Sequence, residues 1–297
     1  MSQLLVRHPP ARETESLLGY VIRLTEVNGY ASPRDIYRRA GMMAGETAAT
    51  SINCSKLAAI TNQPASWLER LALRASQSQS EAVYLLGNTV SKSYLDLTAS
   101  KVCPDCVAEK GFIEAHWHLN FMVACPVHTR AAVFYCPKCK HHLGWMRPGL
   151  LTCRCGEPFQ SPSKAIFLKP ELQLLEIIRR KALGDQTFNE DTCMPERQLA
   201  NLDLQSVLSL VSFLGKSRMF ANWNKGARKD CRPILQAAAK VLTDWPSGFH
   251  SLLGDISPGQ PGDTVEVGDF ADVYKVVGER MTARLGRTTA QNFIDAS

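Results

Sequence analysis

The chain has 297 residues, of which 45% are hydrophobic, and a formal net charge of +6 at pH 7. This length accommodates two or three domains with buried cores. The small excess of positive charge excludes a polycation that binds nucleic acid through charge alone. No run of about 18 apolar residues occurs, so no membrane-spanning helix is predicted. Residues 1–10 include Arg7 and two prolines but no long apolar stretch, so we expect no secretory signal and a cytoplasmic chain.

Residues 1–100 are predicted to form an N-terminal domain of short helices. Apolar residues recur at helical spacing over residues 15–27, and an Asn-Gly pair ends this first helix. The second helix, residues 32–41, begins with Ser as N-cap, Pro at the first helical position and an acid in the first turn. The fold class expected for the chain as a whole is mainly α.

Two further helices are predicted over residues 55–61 and 65–74, with an Asn-Gln-Pro turn between them. Their spacing is typical of a helix-turn-helix unit, although polar residues replace two expected apolar ones. Contact with DNA is one interpretation of this unit. Plain helical packing or a surface for another protein is the alternative.

Seven cysteines and one histidine form two consecutive patterns of paired metal ligands. The first pattern is Cys103-Pro-Asp-Cys106 with Cys125-Pro-Val-His128, and the second is Cys136-Pro-Lys-Cys139 with Cys153-Arg-Cys155. Each offers the four soft ligands of a tetrahedral zinc ion, and four protein ligands leave no open position for catalysis. We therefore predict two structural zinc ions in tandem ribbon or knuckle modules over residues 101–165. Disulfides are the alternative, but a cytosolic chain keeps its thiols reduced.

Several cysteines and histidines lie outside both patterns. Cys54, Cys193 and Cys231 are interpreted as buried or incidental thiols. His116 and His118 flank a tryptophan, which favours a partly buried edge of a strand or helix over a catalytic or metal-binding role.

The C-terminal part is predicted to be helical over residues 166–255, with a linker and acidic tail at 256–297. Helices are expected at 170–183, 202–214 and 233–242, and a turn at 245–250. Between the last two helices, residues 216–232 carry six cations, one acid and two aromatic residues. Such a segment suits contact with nucleic acid or an acidic partner, and a solvated helix end is the alternative. The candidate contact residues are Lys216, Arg218, Trp223, Lys225, Arg228, Lys229 and Arg232.

Three stretches resemble the TniQ family of transposition proteins. Residues 15–24 read ESLLGYVIRL and are followed by Asn-Gly-Tyr at 28–30, residues 103–139 contain CPDC, Trp117, CPVH and CPKC in that order, and residues 242–250 read LTDWPSGFH. The middle signature and the order of the three stretches carry most of the resemblance. Gly19 stands where the family often has Ser, and a His-Trp-His stretch replaces one that is usually rich in Arg.

The resemblance implies a non-enzymatic adaptor in transposon targeting. Proteins similar to TniQ link a target-recognition device to an AAA+ ATPase, which recruits the transposase. In CRISPR-associated transposons the device is an RNA-guided complex, and TnsD-like relatives read DNA themselves. Some relatives act as homodimers. The sequence contains no Walker loop, triad spacing or carboxylate cluster for two-metal chemistry. The alternative is a stand-alone DNA-binding target selector or a zinc-containing regulator, although few basic residues and a short chain favour the adaptor.

Overall fold

The structure is a computed structural model that describes residues 4–76, 81–162, 167–185, 187, 192–218 and 231–256. The described part of the chain is mainly helical, as predicted. It falls into two compact units, Met1–Phe167 with Arg179–Asp185, and Leu168–Ile178 with Gln186–Ser297. The finer division at residues 100, 165 and 255 stays a prediction.

The N-terminal part of the first unit begins with short helices, the second of which starts at its predicted cap, Ser32. The α-helices are α1 (Leu17–Val27), α2 (Pro33–Arg39), α3 (Cys54–Thr61) and α4 (Ala65–Leu71), with a 3-10 turn at Ala44–Glu46. Ser16 Oγ accepts the backbone N–H of Gly19 at 3.3 Å, and Ser32 Oγ accepts that of Arg34 at 3.4 Å. Each side chain satisfies a backbone donor that the first helical turn leaves without a partner.

A small antiparallel sheet follows α4, and sequence analysis missed it. Its strands pair in the order β1 (Arg74–Ala75), β2 (Ala82–Leu85) and β3 (Asn88–Ser91). The helix predicted over 65–74 is therefore too long, because the chain turns extended at Ala72, where ψ is 146°. Leu71, Ala72 and Leu73 are all buried in succession, which one face of a surface helix does not allow.

The turn between β2 and β3 has the backbone of a tight hairpin. Leu86 and Gly87 both have positive φ, at 48° and 86°. Two-residue hairpin turns of this kind match the twist of the flanking strands, and glycine adopts such a φ without strain.

The region of the predicted metal ligands contains little regular structure. Its elements are α5 (Pro104–Lys110), β4 (Ala124–Cys125) paired with β5 (Arg130–Ala131), and 3-10 turns at Lys92–Tyr94 and Ala115–His118. Trp117 and Phe121 are almost fully buried beside these elements. The tryptophan that the sequence motif contains is thus a core residue.

A buried ion pair joins Arg23 of α1 to Glu15 in the segment before the helix. The carboxylate of Glu15 accepts from Arg23 Nη2 at 2.6 Å and from the backbone N–H of Arg12 at 3.0 Å. Arg23 also donates to the carbonyl of Pro10. Burial raises the pKa of Glu15 in spite of this cation. Removing one partner would leave a buried charge without compensation, so the pair specifies one arrangement of this segment.

The rest of the described chain is helical. Its helices are α6 (Lys169–Leu183), α7 (Glu196–Ala200), α8 (Leu204–Arg218), α9 (Arg232–Thr243) and α10 (Ser247–Ile256). The division between the units falls within α6. Helices α8 and α9 pack closely, because a Cβ added at Gly215 would lie 2.2 Å from the carbonyl oxygen of Ile234. Along the described chain, no helix has the length and apolarity that crossing a membrane would require.

The three helices predicted in this part are confirmed to within a few residues, and the turn predicted at 245–250 is shorter than expected, because it covers only residues 244–246. Helix α10 begins at Ser247, and the carbonyl of Pro246 accepts the backbone N–H groups of Phe249 and His250 at 3.0 and 3.1 Å. The Pro-Ser-Gly sequence resembles a turn, yet proline directly before a helix has no N–H that needs a partner. Residues 257–297, which include most of the predicted tail, lie outside the described residues.

Candidate metal centres

The first centre brings together all four residues of the first pattern. Cys106 Sγ lies 3.4 Å from Cys125 Sγ and 3.2 Å from Nδ1 of His128, and Cys103 Sγ lies 3.5 Å from that same nitrogen. The edge of a tetrahedron of sulfur around zinc is about 3.8 Å, since each Zn–S bond is about 2.3 Å. The four ligand atoms are therefore spaced to hold one metal ion.

Local structure explains why these side chains converge. Cys103 is the N-cap of α5 and Cys106 lies in its first turn, so one helical turn aims both sulfurs the same way. Cys125 ends β4, and His128 lies in the turn to β5, where Thr129 adopts a φ of 53°. Helix start and hairpin turn together supply two ligand pairs.

The thiols of this centre cannot all ionise without a cation. Hydrogen bonds that Cys106 and Cys125 donate lower the pKa of the Cys103 thiol. Because these two thiols donate to Cys103, their own pKa values are raised. One thiolate therefore keeps its neighbours protonated. A divalent ion relieves this repulsion, because metal ligands bind as thiolates. The donor set fits zinc.

A carboxylate that sequence analysis missed supports the histidine ligand. Glu109 Oε1 lies 2.9 Å from Nε2 of His128, so the ring donates to the carboxylate and leaves Nδ1 to face the thiols. Such partners orient a metal-bound histidine and raise its basicity. The signal was present in the sequence, because Glu109 follows Cys106 by three residues on α5 and lies on the same helical face.

The second centre assembles the four cysteines of the second pattern. Cys136 Sγ lies 3.6 Å from Cys155 Sγ, Cys139 Sγ lies 3.8 Å from Cys153 Sγ, and the four sulfurs all lie within 4.8 Å of one another. Gly156 follows the last ligand and has a positive φ of 86°. Its N–H donates to the carbonyl of Cys153 at 2.9 Å, which closes the short ligand loop.

The histidines between the ligand pairs belong to the core. His116 and His118 are both buried, and burial lowers the pKa of both rings, that of His118 to about 4. Nε2 of His118 lies 2.7 Å from Ser16 Oγ, and its ring stacks on Trp145 with centroids 4.7 Å apart. A neutral His118 accepts the Ser16 hydroxyl proton, while that oxygen accepts the N–H of Gly19. The two rings are more deeply buried than predicted, and both metal clusters are complete without them.

The remaining cysteines divide by burial. Cys54 and Cys231 are buried, and burial raises the pKa of Cys54 to about 11. Cys193 is exposed, with Sγ 2.7 Å from Oε1 of Gln173. None of the three takes part in the metal clusters found among the described residues.

The predicted basic contact segment is described only at its ends. Lys216 and Arg218 close α8, and Arg232 opens α9. Trp223, Lys225, Arg228 and Lys229 lie outside the described residues. The contact surface predicted for this segment therefore stays a prediction.

The region that contains the first metal centre also matches a protein-family model. The TniQ family model matches residues 6–132. This region is a TniQ domain. It contains α1 to α5, the small sheet and all four ligands of the first centre, and it ends before the second centre begins. The resemblance noted in the sequence is confirmed for this region.

The TniQ match supports a role in transposition. A search of the curated proteins found no match.

Proposed function

We propose that this chain is a non-enzymatic adaptor that links a target-recognition complex to an AAA+ ATPase in transposition. The TniQ domain over residues 6–132 is the single observation that carries the proposal. Two centres with the donor sets of structural zinc add support, because metal-built modules present rigid surfaces without an open coordination position. An RNA-guided CRISPR effector is one candidate for the target-recognition complex.

Direct reading of DNA is the second candidate function, and the pair α3 and α4 is the observation that favours it. The two helices pack together across a short turn in which Asn62 is left-handed, at φ 52°. The exposed residues of α4 include both Glu69 and Arg70, however, and Arg70 lies over the ring of Trp67. A recognition helix with an exposed acid and an engaged arginine is poorly suited to a polyanion. We therefore favour the adaptor.

Reconstitution with neighbouring gene products tests the adaptor. We expect the gene to lie beside genes for an AAA+ ATPase and a transposase, and we expect targeted insertion to require this chain. The chain should co-purify with the ATPase and should stimulate its recruitment to the target complex. Cys193→Ser should support normal insertion, since that thiol is exposed and outside both centres. Insertion that proceeds at the same sites without the chain contradicts the proposal.

The proposal also requires that the purified chain hydrolyse neither nucleotides nor nucleic acid. ATP turnover that persists in a clean preparation and disappears with a point substitution in this chain would show an enzyme. Sequence-specific binding of duplex DNA by the isolated chain, lost on substitution of Arg70 and not of Arg34, would instead favour the direct reader.

A further inference from the structure

The second metal centre carries an exposed aromatic pair. Tyr135 and His142 face each other across an antiparallel bridge, with ring centroids 4.2 Å apart and an interplanar angle of 35°. Both residues are exposed, and Tyr135 retains 53% of its accessible surface. A ring pair that serves the core is buried, as His118 and Trp145 are. This pair leaves π surface available to a ligand.

Three exposed cations share the same tip of the molecule. Lys138 and Lys140 lie on the loop of the first two ligands, and Arg154 lies between the last two. Convergence of the four sulfurs within 4.8 Å holds the two loops together. Nζ of Lys138 lies 3.2 Å from Glu157 across them. The cations are therefore gathered at one place by the metal ligands.

Charge alone does not make this tip a site for a polyanion. Zinc bound by four thiolates carries a net negative charge, and Glu157 adds another. These charges offset the three cations, so long-range attraction is weak. Binding at the tip must then depend on short-range contacts, of which stacking on the aromatic pair is the strongest available.

We propose that this tip, defined by Tyr135, Lys138, Lys140, His142 and Arg154, binds single-stranded nucleic acid. Unpaired bases stack on the aromatic pair while phosphates lie against the cations. A duplex keeps its base faces inside the helix, which favours a single strand as the occupant. An acidic peptide would engage the cations and leave the aromatic pair without a partner. The proposal goes beyond the adaptor role and does not depend on it.

The test is fluorescence anisotropy of labelled oligothymidylate with the purified, zinc-loaded full chain. We expect the chain to bind the single strand more tightly than a thymidine–adenine duplex of equal length. Tyr135→Ala should weaken binding about 5- to 150-fold, the effect of losing one base–aromatic stack. Tyr135→Phe should retain most of the affinity, because the ring remains. Replacing all three cations with Ala should lower the salt slope by about 1.4, because Lys140 and Arg154 each contribute about 0.7 and Lys138 is already paired with Glu157.

Two control variants match these changes elsewhere in the chain. Tyr84→Ala removes an exposed tyrosine from β2, and the triple replacement of Arg34, Arg38 and Arg39 by Ala removes three exposed cations from α2. Both controls should bind as the wild type does. Zinc content and melting temperature, measured for every variant, confirm that the tip remains folded.

Three results would overturn the proposal. The first is wild-type chain that does not bind the single strand, or that prefers the duplex. The second is an equal loss of affinity in the α2 triple variant, which would indicate binding by total charge. The third is binding of polyglutamate that depends on the tip cations and is unaffected by Tyr135→Ala, which would identify an acidic protein surface as the occupant.

Discussion

The two metal centres have nearly the same ligand chemistry and very different surroundings. In the first centre Cys103, Cys106 and Cys125 are buried, and the chain between its ligand pairs contacts α1 through Ser16. In the second centre Cys136 and Cys153 are buried but Cys155 is exposed, and its ligand loops carry exposed cations. The first ion would therefore hold part of the core together, whereas the second would shape a surface. Similar ligand patterns in sequence do not imply an equal contribution to stability.

Loss of a ligand from the first centre should have the largest effect. We expect Cys106→Ser to remove one zinc ion and to unfold the first unit, because a structural zinc contributes about 10 kcal/mol in model peptides and a domain is stable by only about 5–15 kcal/mol. Elemental analysis and circular dichroism measure both changes. Cys193 is exposed and lies outside both centres, so Cys193→Ser should shift stability by less than about 0.5 kcal/mol. If the Cys106→Ser protein were folded and as stable as the wild type, the distinction between the two centres would be lost.

Loss of a ligand from the second centre should have a smaller, local effect. We expect Cys155→Ser to release the second ion and lower the free energy of unfolding by roughly 1–3 kcal/mol. The base of this module is held separately, since the buried Arg147 donates to Gly149 O at 3.1 Å and Gly144 O at 2.8 Å and also contacts Ser100. Hydrogen exchange should therefore accelerate in residues 136–157 alone. Cooperative unfolding of the whole unit would contradict the comparison.

Detaching the first centre from α1 should have an effect of similar size to the loss of the second ion. Ser16→Ala removes a helix cap worth about 1 kcal/mol and leaves Nε2 of His118 buried without its partner, for a total of roughly 2–4 kcal/mol. Ser32→Ala is the matched control, because it removes a cap alone and should cost about 1 kcal/mol. Urea unfolding measures both values. Equal losses would mean that the contact with His118 contributes nothing.

The smallest expected effect is on pH dependence. Burial lowers the pKa of His118 to about 4, below its ordinary value of 6.5, so the unfolded chain binds the proton more readily as the pH falls. Stability should therefore decrease by about 1.4 kcal/mol between about pH 7.5 and about pH 5.5 from this ring. His118→Gln should flatten the profile by that amount, which urea unfolding of the wild type and the variant at both pH values measures. The difference in pH dependence between the wild type and the variant reports on the His118 ring alone, because protonation of the metal ligands contributes equally to both.

The features predicted correctly from the sequence are local ones. The ligand patterns and the cap at Ser32 each depend on a few adjacent residues, whose geometry is nearly the same in any fold. Residues close in the chain bring their side chains to one ion or one backbone group without help from distant segments. The resemblance to TniQ rested on the same short motifs.

Tertiary structure decided the rest, because those features depend on residues far apart in sequence. Strand β1 has two residues and exists only through its pairing with β2. The buried His118 contacts Ser16, which lies 102 residues earlier in the chain. The unequal exposure of the two metal centres has the same origin. Spacing fixes which atoms can meet at an ion, whereas burial of that ion is determined by the segments that pack around it.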